Sequence, residues 1–276
     1  MPSGKKSKQL RRAAQAVPPP VTSKGSGRRR QASPRVLIAG AGGVAVVVVV
    51  VVLAIVLSGG GGSSSGLPKN VQTYGSLASG LPGASDVQTM FKGITQKGLD
   101  LGSPFAPVQM VIFIDLQCPI CQEFETTVSP TLVSKYVRTG KLRIHVEPWA
   151  FIGPDSVRAQ AAMFAAAMQN KAFDFAQVLY DNQRTENTGW LTDSMIYQIA
   201  VSVPGLNVPK LLSDRKSSEV KKEASNVAAL ASVDHVTGTP TVFVGKNGTT
   251  PKLVGSPGSA PDLEQVTLAI DTALLG

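Results

Sequence analysis

Cysteine is almost missing from this chain: 276 residues hold only Cys118 and Cys121. That excludes a multi-bridge disulfide framework and leaves no second pair to compete in exchange. Histidine is as scarce, with His145 and His235 alone. A structural zinc site needs four ligands, and the spacing of these four residues fits no finger pattern, so no metal is expected. Without a lipobox cysteine, a lipoprotein is excluded. Acidic residues are absent from 1–35, and charge of either sign is absent from 36–57.

These gaps divide the chain. Residues 1–35 hold ten Lys or Arg, so the formal charge of +9 belongs to them; the rest has 17 basic and 18 acidic residues, a net of −1. With Pro18, Pro19 and Pro20 and many small polar residues, this basic tail cannot bury a core and is expected to be disordered. It reads as a cytoplasmic flank attracted to anionic lipid, not as a nucleic-acid binder. Residues 36–57 include an unbroken apolar run from Val44 to Leu57. As a helix they would span about 33 Å, enough for a bilayer core. A cleaved signal peptide has an apolar region of only about 7–15 residues and a small-residue cleavage site. The span is therefore expected to be an uncleaved transmembrane helix, with all that follows outside the cytoplasm. Residues 58–83 are rich in Gly, Ser and Pro and read as a linker; its first nine residues, all Gly or Ser, give a reach of roughly 15–18 Å.

From Ala84 to Gly276 the composition is globular. Asp86–Phe91 reads as a short helix and Gly93–Leu101 as a first strand. Val108 to Asp115 reads as the central strand, with the continuous apolar run Met110 to Ile114 buried on both faces. Cys118 to about Thr139 reads as a helix kinked by Pro130. Leu142, Ile144 and Val146 alternate with Arg143, His145 and Glu147, a strand closed by Pro148. Helices follow over Asp155–Gln183, Leu191–Val201 and Val208–Ala231. In the first of these, Val157, Ala161, Phe164, Ala165 and Met168 mark one apolar face. Thr241–Val244 and Lys252–Val254 form a hairpin around Asn247–Gly248. A last helix follows a Ser259/Asp262 capping box and turns Leu263, Val266, Ile270 and Ala273 to the core.

The two cysteines sit where a buried strand gives way to a helix. At such a helix start, unpaired N–H groups and the positive helix end favour a thiolate on Cys118. Cys121 lies one turn on, within disulfide reach. Pro119 fits the first helical turn, where its missing N–H has no partner to lose. Asp115, three residues before Cys118, reads as a helix-entry cap or a residue that tunes the cysteines. Trp149 and Trp190 read as core or groove residues, and Glu123 and Glu125 as solvated helix charges.

The string Phe113-x-Asp115-x-x-Cys118-Pro119-x-Cys121-x-x-Phe124 resembles the active site of the DsbA-like thiol–disulfide oxidoreductases, exported proteins of thioredoxin fold. Downstream, Gly238-Thr239-Pro240-Thr241-Val242-Phe243-Val244 is similar to that family's cis-proline loop and the strand after it. The resemblance covers residues 84–276. It implies an α/β thioredoxin-like fold with a helical insertion over about 155–232. It also implies a Cys118–Cys121 redox pair, a substrate-binding loop at Thr239 and Pro240, supporting roles for Pro119 and Asp115, and no cofactor. The expected partners are unfolded or reduced exported proteins and a quinone-linked membrane thiol oxidase. Two departures stand out: Ile120 replaces the histidine of the most oxidising members, and Gln117 occupies the place of the thioredoxin-type tryptophan. Oxidase duty is the first reading. A reductase or isomerase of the same fold remains open, as does a membrane-tethered peptide-binding holdase with a structural disulfide. A cysteine–histidine hydrolase would leave Cys121 without a role.

Overall fold

The computed structural model describes residues 66–276 apart from 257 and 258. The basic tail expected over 1–35, the transmembrane helix over 36–57 and linker residues 58–65 lie outside the described residues. Among the described residues, no helix is long and apolar enough to cross a membrane.

Alternating apolar residues build a six-stranded sheet. Its strands are β1 (Gln96–Lys97), β2 (Asp100–Leu101), β3 (Val108–Ile114), β4 (Leu142–Pro148), β5 (Thr241–Lys246) and β6 (Lys252–Val254), in the order β1-β2-β4-β3-β5-β6. β3 is central, parallel to β4 and antiparallel to β5. The period of two sends Met110, Ile112 and Ile114 into the main core, and Val111 and Phe113 into a second cluster with Phe164, Val220 and Val227. Coverage of both faces is complete only at the C-terminal end of β3, where Ile112, Phe113 and Ile114 are all buried. That rigid end carries the cysteine turn.

Helices α1 (Ala84–Phe91), α2 (Pro119–Thr127) and α3 (Ser129–Leu132) precede a π-helical turn at Val133–Val137. The expected kink near Pro130 falls at Val128, the single residue between α2 and α3, which keeps helical angles (φ −94°, ψ −51°). Between β4 and β5 lies the helical insertion: α4 (Pro154–Ala167), α5 (Ala172–Asp181), α6 (Asp193–Val201), α7 (Val208–Asp214) and α8 (Ser218–Val233). Helix α9 (Leu263–Leu275) packs on β5.

Several expectations need correction. The first strand is a pair of two-residue strands turning at Gly98, whose φ of 60° suits glycine. The helix expected over 155–183 is two, because Asn170 takes the left-handed conformation with φ 58°. Of its predicted apolar face Phe164 and Ala165 are buried, but Val157 and Met168 are exposed, and Ala159, Ala162 and Met163 are fully buried instead. The helix expected over 208–231 is interrupted where Ser217 caps α8 by accepting from the Val220 N–H. The last capping box is Asp262 with Gln265, one turn later than expected.

The linker reading reaches too far. The Gly75 N–H donates to the Leu206 carbonyl at 2.9 Å, the Ser76 N–H to Val201 at 2.8 Å, and the Val208 N–H to Thr73 at 2.9 Å. Residues 73–76, ahead of Ala84, are therefore packed on the insertion. Gly75 permits this approach, since a Cβ there would collide with the Val203 carbonyl oxygen.

His145 pins the sheet edge. Its Nδ1 lies 3.0 Å from Asp100 on β2, and its Nε2 lies 3.1 Å from Glu147. Burial opposes its charge, but the two carboxylates outweigh it and raise its pKa to about 9. A raised folded-state pKa adds stability that is complete below the unfolded value near 6.5 and is lost as pH rises through about 9. The urea midpoint is therefore expected to fall between pH 7 and 10. The fall should be smaller in His145→Gln; an identical pH profile in that variant would discount the contribution.

Candidate active site

β3 ends at Ile114, and the next four residues form a tight turn. The Cys118 N–H donates to the Asp115 carbonyl at 3.0 Å, and the Gln117 N–H donates to Asp115 Oδ1 at 3.0 Å. Asp115 Oδ2 accepts from the Phe151 and Ile152 N–H groups at 3.0 and 3.1 Å. Asp115 is thus a buried clamp between the cysteine turn and the β4–α4 connection. The helix-entry position falls to Cys118 itself, the N-cap of α2, with φ −70° and ψ 122°. Its side chain makes no capping bond, and Pro119 occupies the first turn, so the sulfur is free to face the helix end.

Both thiols are unbonded, and they differ. Cys118 is 6% exposed and Cys121 0%, so only the first can meet an incoming sulfur. The Cys121 thiol, helped by the backbone N–H groups of Cys121 and Ile120, stabilises the Cys118 thiolate against burial and lowers its pKa to about 6. Burial, reinforced by the neighbouring Cys118, pushes the Cys121 pKa well up. The pair has the asymmetry that thiol–disulfide exchange requires: one thiol ionises readily and the other is held protonated.

The sheet brings Thr239 and Pro240 to the same place. The Cys118 thiol lies 3.4 Å from the Thr239 carbonyl, and the Thr239–Pro240 peptide is cis. The side-chain hydroxyl of Thr239 is buried without a partner among the described residues. Beside Ile120, which is 47% exposed, a groove of about 520 Å³ runs between Phe124 and Val128 on one side and Pro261 and Leu263 on the other. Among the described residues, no group of three or more His, Cys, Asp and Glu side chains is placed to hold a metal ion.

Comparison with known proteins agrees with this geometry. A family model described as Thioredoxin matches residues 95–256. The chain belongs to the thioredoxin family. A probable disulfide bond formation protein D of Bacillus cereus is 31% identical over 188 residues, which cover 67% of this chain and 82% of that protein. The disulfide bond formation protein D of Bacillus subtilis is 23% identical over 146 residues, 52% of this chain and 66% of the relative. Oxidised BdbD from Bacillus subtilis superposes with a TM-score of 0.58 at 21% identity, covering 66% of this chain and 98% of that one. Chlamydia trachomatis DsbA gives a TM-score of 0.55 at 20% identity, covering 63% and 90%. This thioredoxin-family chain is a thiol–disulfide oxidoreductase.

Three features of this thioredoxin-family site escape sequence reading. Gln117 is fully buried and bonded to residues about 40 and 70 positions away, which no local pattern signals. The Tyr180 hydroxyl, from α5, donates to the Asp115 carbonyl at 3.2 Å. Glu125, read as a solvated charge, borders a core cavity of about 30 Å³ with Ile112, Met163 and Tyr180. Burial raises its pKa to about 7, against the opposing Ser129 hydrogen bond. Of the tryptophans, Trp190 is buried, and Trp149 stacks on Phe151 with ring centroids 4.6 Å apart.

Proposed function

We propose that this oxidoreductase introduces disulfides into exported proteins, working outside the cytoplasm from a membrane anchor at residues 36–57. The observation that carries the direction is the Cys118 thiol, whose pKa is about 6 beside a buried partner. Stabilising the thiolate stabilises the reduced form and makes the couple oxidising.

The oxidised enzyme holds a Cys118–Cys121 disulfide. A substrate thiolate attacks the Cys118 sulfur, the S–S bond breaks, and Cys121 departs and takes up a proton. A second substrate thiolate attacks the substrate sulfur of the mixed disulfide, and Cys118 leaves as a thiolate. Two electrons have passed from substrate to enzyme. A membrane thiol oxidase, linked to quinone, takes them on and restores the disulfide. Thr239 and Pro240 hold the substrate beside Cys118: among the described residues no hydrogen bond uses the Thr239 N–H, which leaves a backbone donor for strand addition. In the groove, Ile120, Phe124 and Leu263 offer apolar contacts, beside Glu123 and Asp262, to the side chains of an unfolded chain. Pro119 and Asp115 support the pair, the first by leaving the helix end open and the second by fixing the turn.

Equilibrating the pair in glutathione buffers tests the direction. A potential above the roughly −270 mV of thioredoxin, displaced toward the roughly −120 mV of strong oxidants, is expected. A value near the roughly −270 mV of thioredoxin would assign the protein to reductive duty instead.

A further inference from the structure

Gln117 has no exposed surface, and every polar group it carries is used. Its side-chain amide donates to Ser156 Oγ at 2.7 Å and to Asn187 Oδ1 at 3.2 Å. Its amide oxygen accepts from the Asn187 N–H at 2.9 Å. Its backbone carbonyl accepts from Gln183 Nε2 at 2.7 Å, while its backbone N–H goes to Asp115. Three of these partners lie in the insertion, and two, Gln183 and Asn187, are in the connection between α5 and α6. The next residue is Cys118. An amide is the one neutral side chain of this length with two donors and an acceptor. A carboxylate loses the donors, and an aliphatic chain loses everything.

We propose that Gln117 is a positioning residue through which the α5–α6 connection of the insertion fixes the turn bearing Cys118, and so sets how well the helix end holds the Cys118 thiolate. The inference rests on the reading of Cys118 and Cys121 as the redox pair. The physical link is the difference between the two redox states. In the reduced form, the Cys118 sulfur depends on donors from Cys121 and Ile120, whose alignment fails if the turn loosens. In the oxidised form a covalent bond fixes the sulfur whatever the turn does. Releasing Gln117 therefore weakens the reduced form more than the oxidised form.

The test uses the full chain with Gln117→Met, which keeps the length and removes the amide, and Asn187→Gly. Glycine tolerates the φ of 57° at position 187 and keeps the backbone N–H that donates to Gln117, while it removes the side-chain amide whose oxygen accepts from Gln117. The readouts are the pH dependence of Cys118 alkylation and the equilibrium constant with glutathione. Gln117→Met is expected to move the alkylation midpoint upward. It should also shift the equilibrium about fivefold toward the enzyme disulfide, the scale of one hydrogen bond, or about 20 mV for a two-electron couple. The double variant should match Gln117→Met alone, because both changes cut one network. If Gln117→Met fails to fold, Gln183→Ala, which removes a single donor to the Gln117 carbonyl, carries the same expectation. Variants that unfold more easily yet keep the parent's alkylation profile and equilibrium constant would reduce Gln117 to a structural bolt and overturn the proposal. Failure of the parent chain to equilibrate with glutathione would instead overturn the redox-pair reading beneath it.

Discussion

Cys118→Ser is expected to reduce disulfide transfer to a reduced, unfolded substrate to the uncatalysed background. Cys118 is the less buried of the two sulfurs, and the proposed chemistry passes both steps through it. Cys121→Ser should behave differently. Its Cys118 thiolate can still attack a disulfide of an oxidised substrate, displacing one substrate sulfur as a thiolate, but no neighbouring thiol remains to release the adduct, so mixed disulfides with oxidised substrate accumulate on non-reducing gels. Retention of transfer by Cys118→Ser would sink the redox assignment. Suppression of aggregation without transfer in the parent chain would favour the holdase reading.

Asp115→Ala is expected to be the most damaging change outside the cysteines. The carboxylate is 1% exposed and accepts from three backbone N–H groups, those of Gln117, Phe151 and Ile152. Truncation leaves all three without an acceptor in a buried setting. At about 1–3 kcal/mol for each stranded group, the loss should reach about 3 kcal/mol or more. Because one donor is adjacent to Cys118, the alkylation rate of Cys118 should change along with the urea midpoint. A variant within about 0.5 kcal/mol of the parent would show that water replaces the carboxylate without cost.

The legible parts of this protein are those where chemistry constrains neighbours in sequence. A Cys-x-x-Cys pair after an apolar strand can be recognised because thiolate activation needs a helix start and disulfide reach. The later Thr239–Pro240 element places a backbone carbonyl 3.4 Å from Cys118. The alternation in 142–148 likewise gives β4 directly. What stays hidden is set by partners distant in sequence. Nothing local to Gln117 announces Asn187, and nothing in Thr73–Ser76 announces a mooring on the insertion. Glu125 looks like a surface charge in the sequence, yet it is half-buried and borders the core cavity with Met163 and Tyr180. The helix breaks were missed for a smaller reason: one left-handed asparagine or one serine cap outweighs a continuous apolar period.

The sheet order also has a consequence in time. β3 pairs with β4 through nearby residues, Val108 opposite Leu142, but with β5 only after the whole insertion, Phe113 opposite Thr241. Closing the longer loop costs more entropy, so β5 docks late. Thr239 follows Cys118 by 121 residues. At a synthesis rate of roughly 5–20 residues per second that interval is on the order of ten seconds. Through it the nascent chain carries both thiols without the strand that will flank them. A chain built to handle other proteins' sulfurs thus spends its first moments as the kind of substrate it would serve.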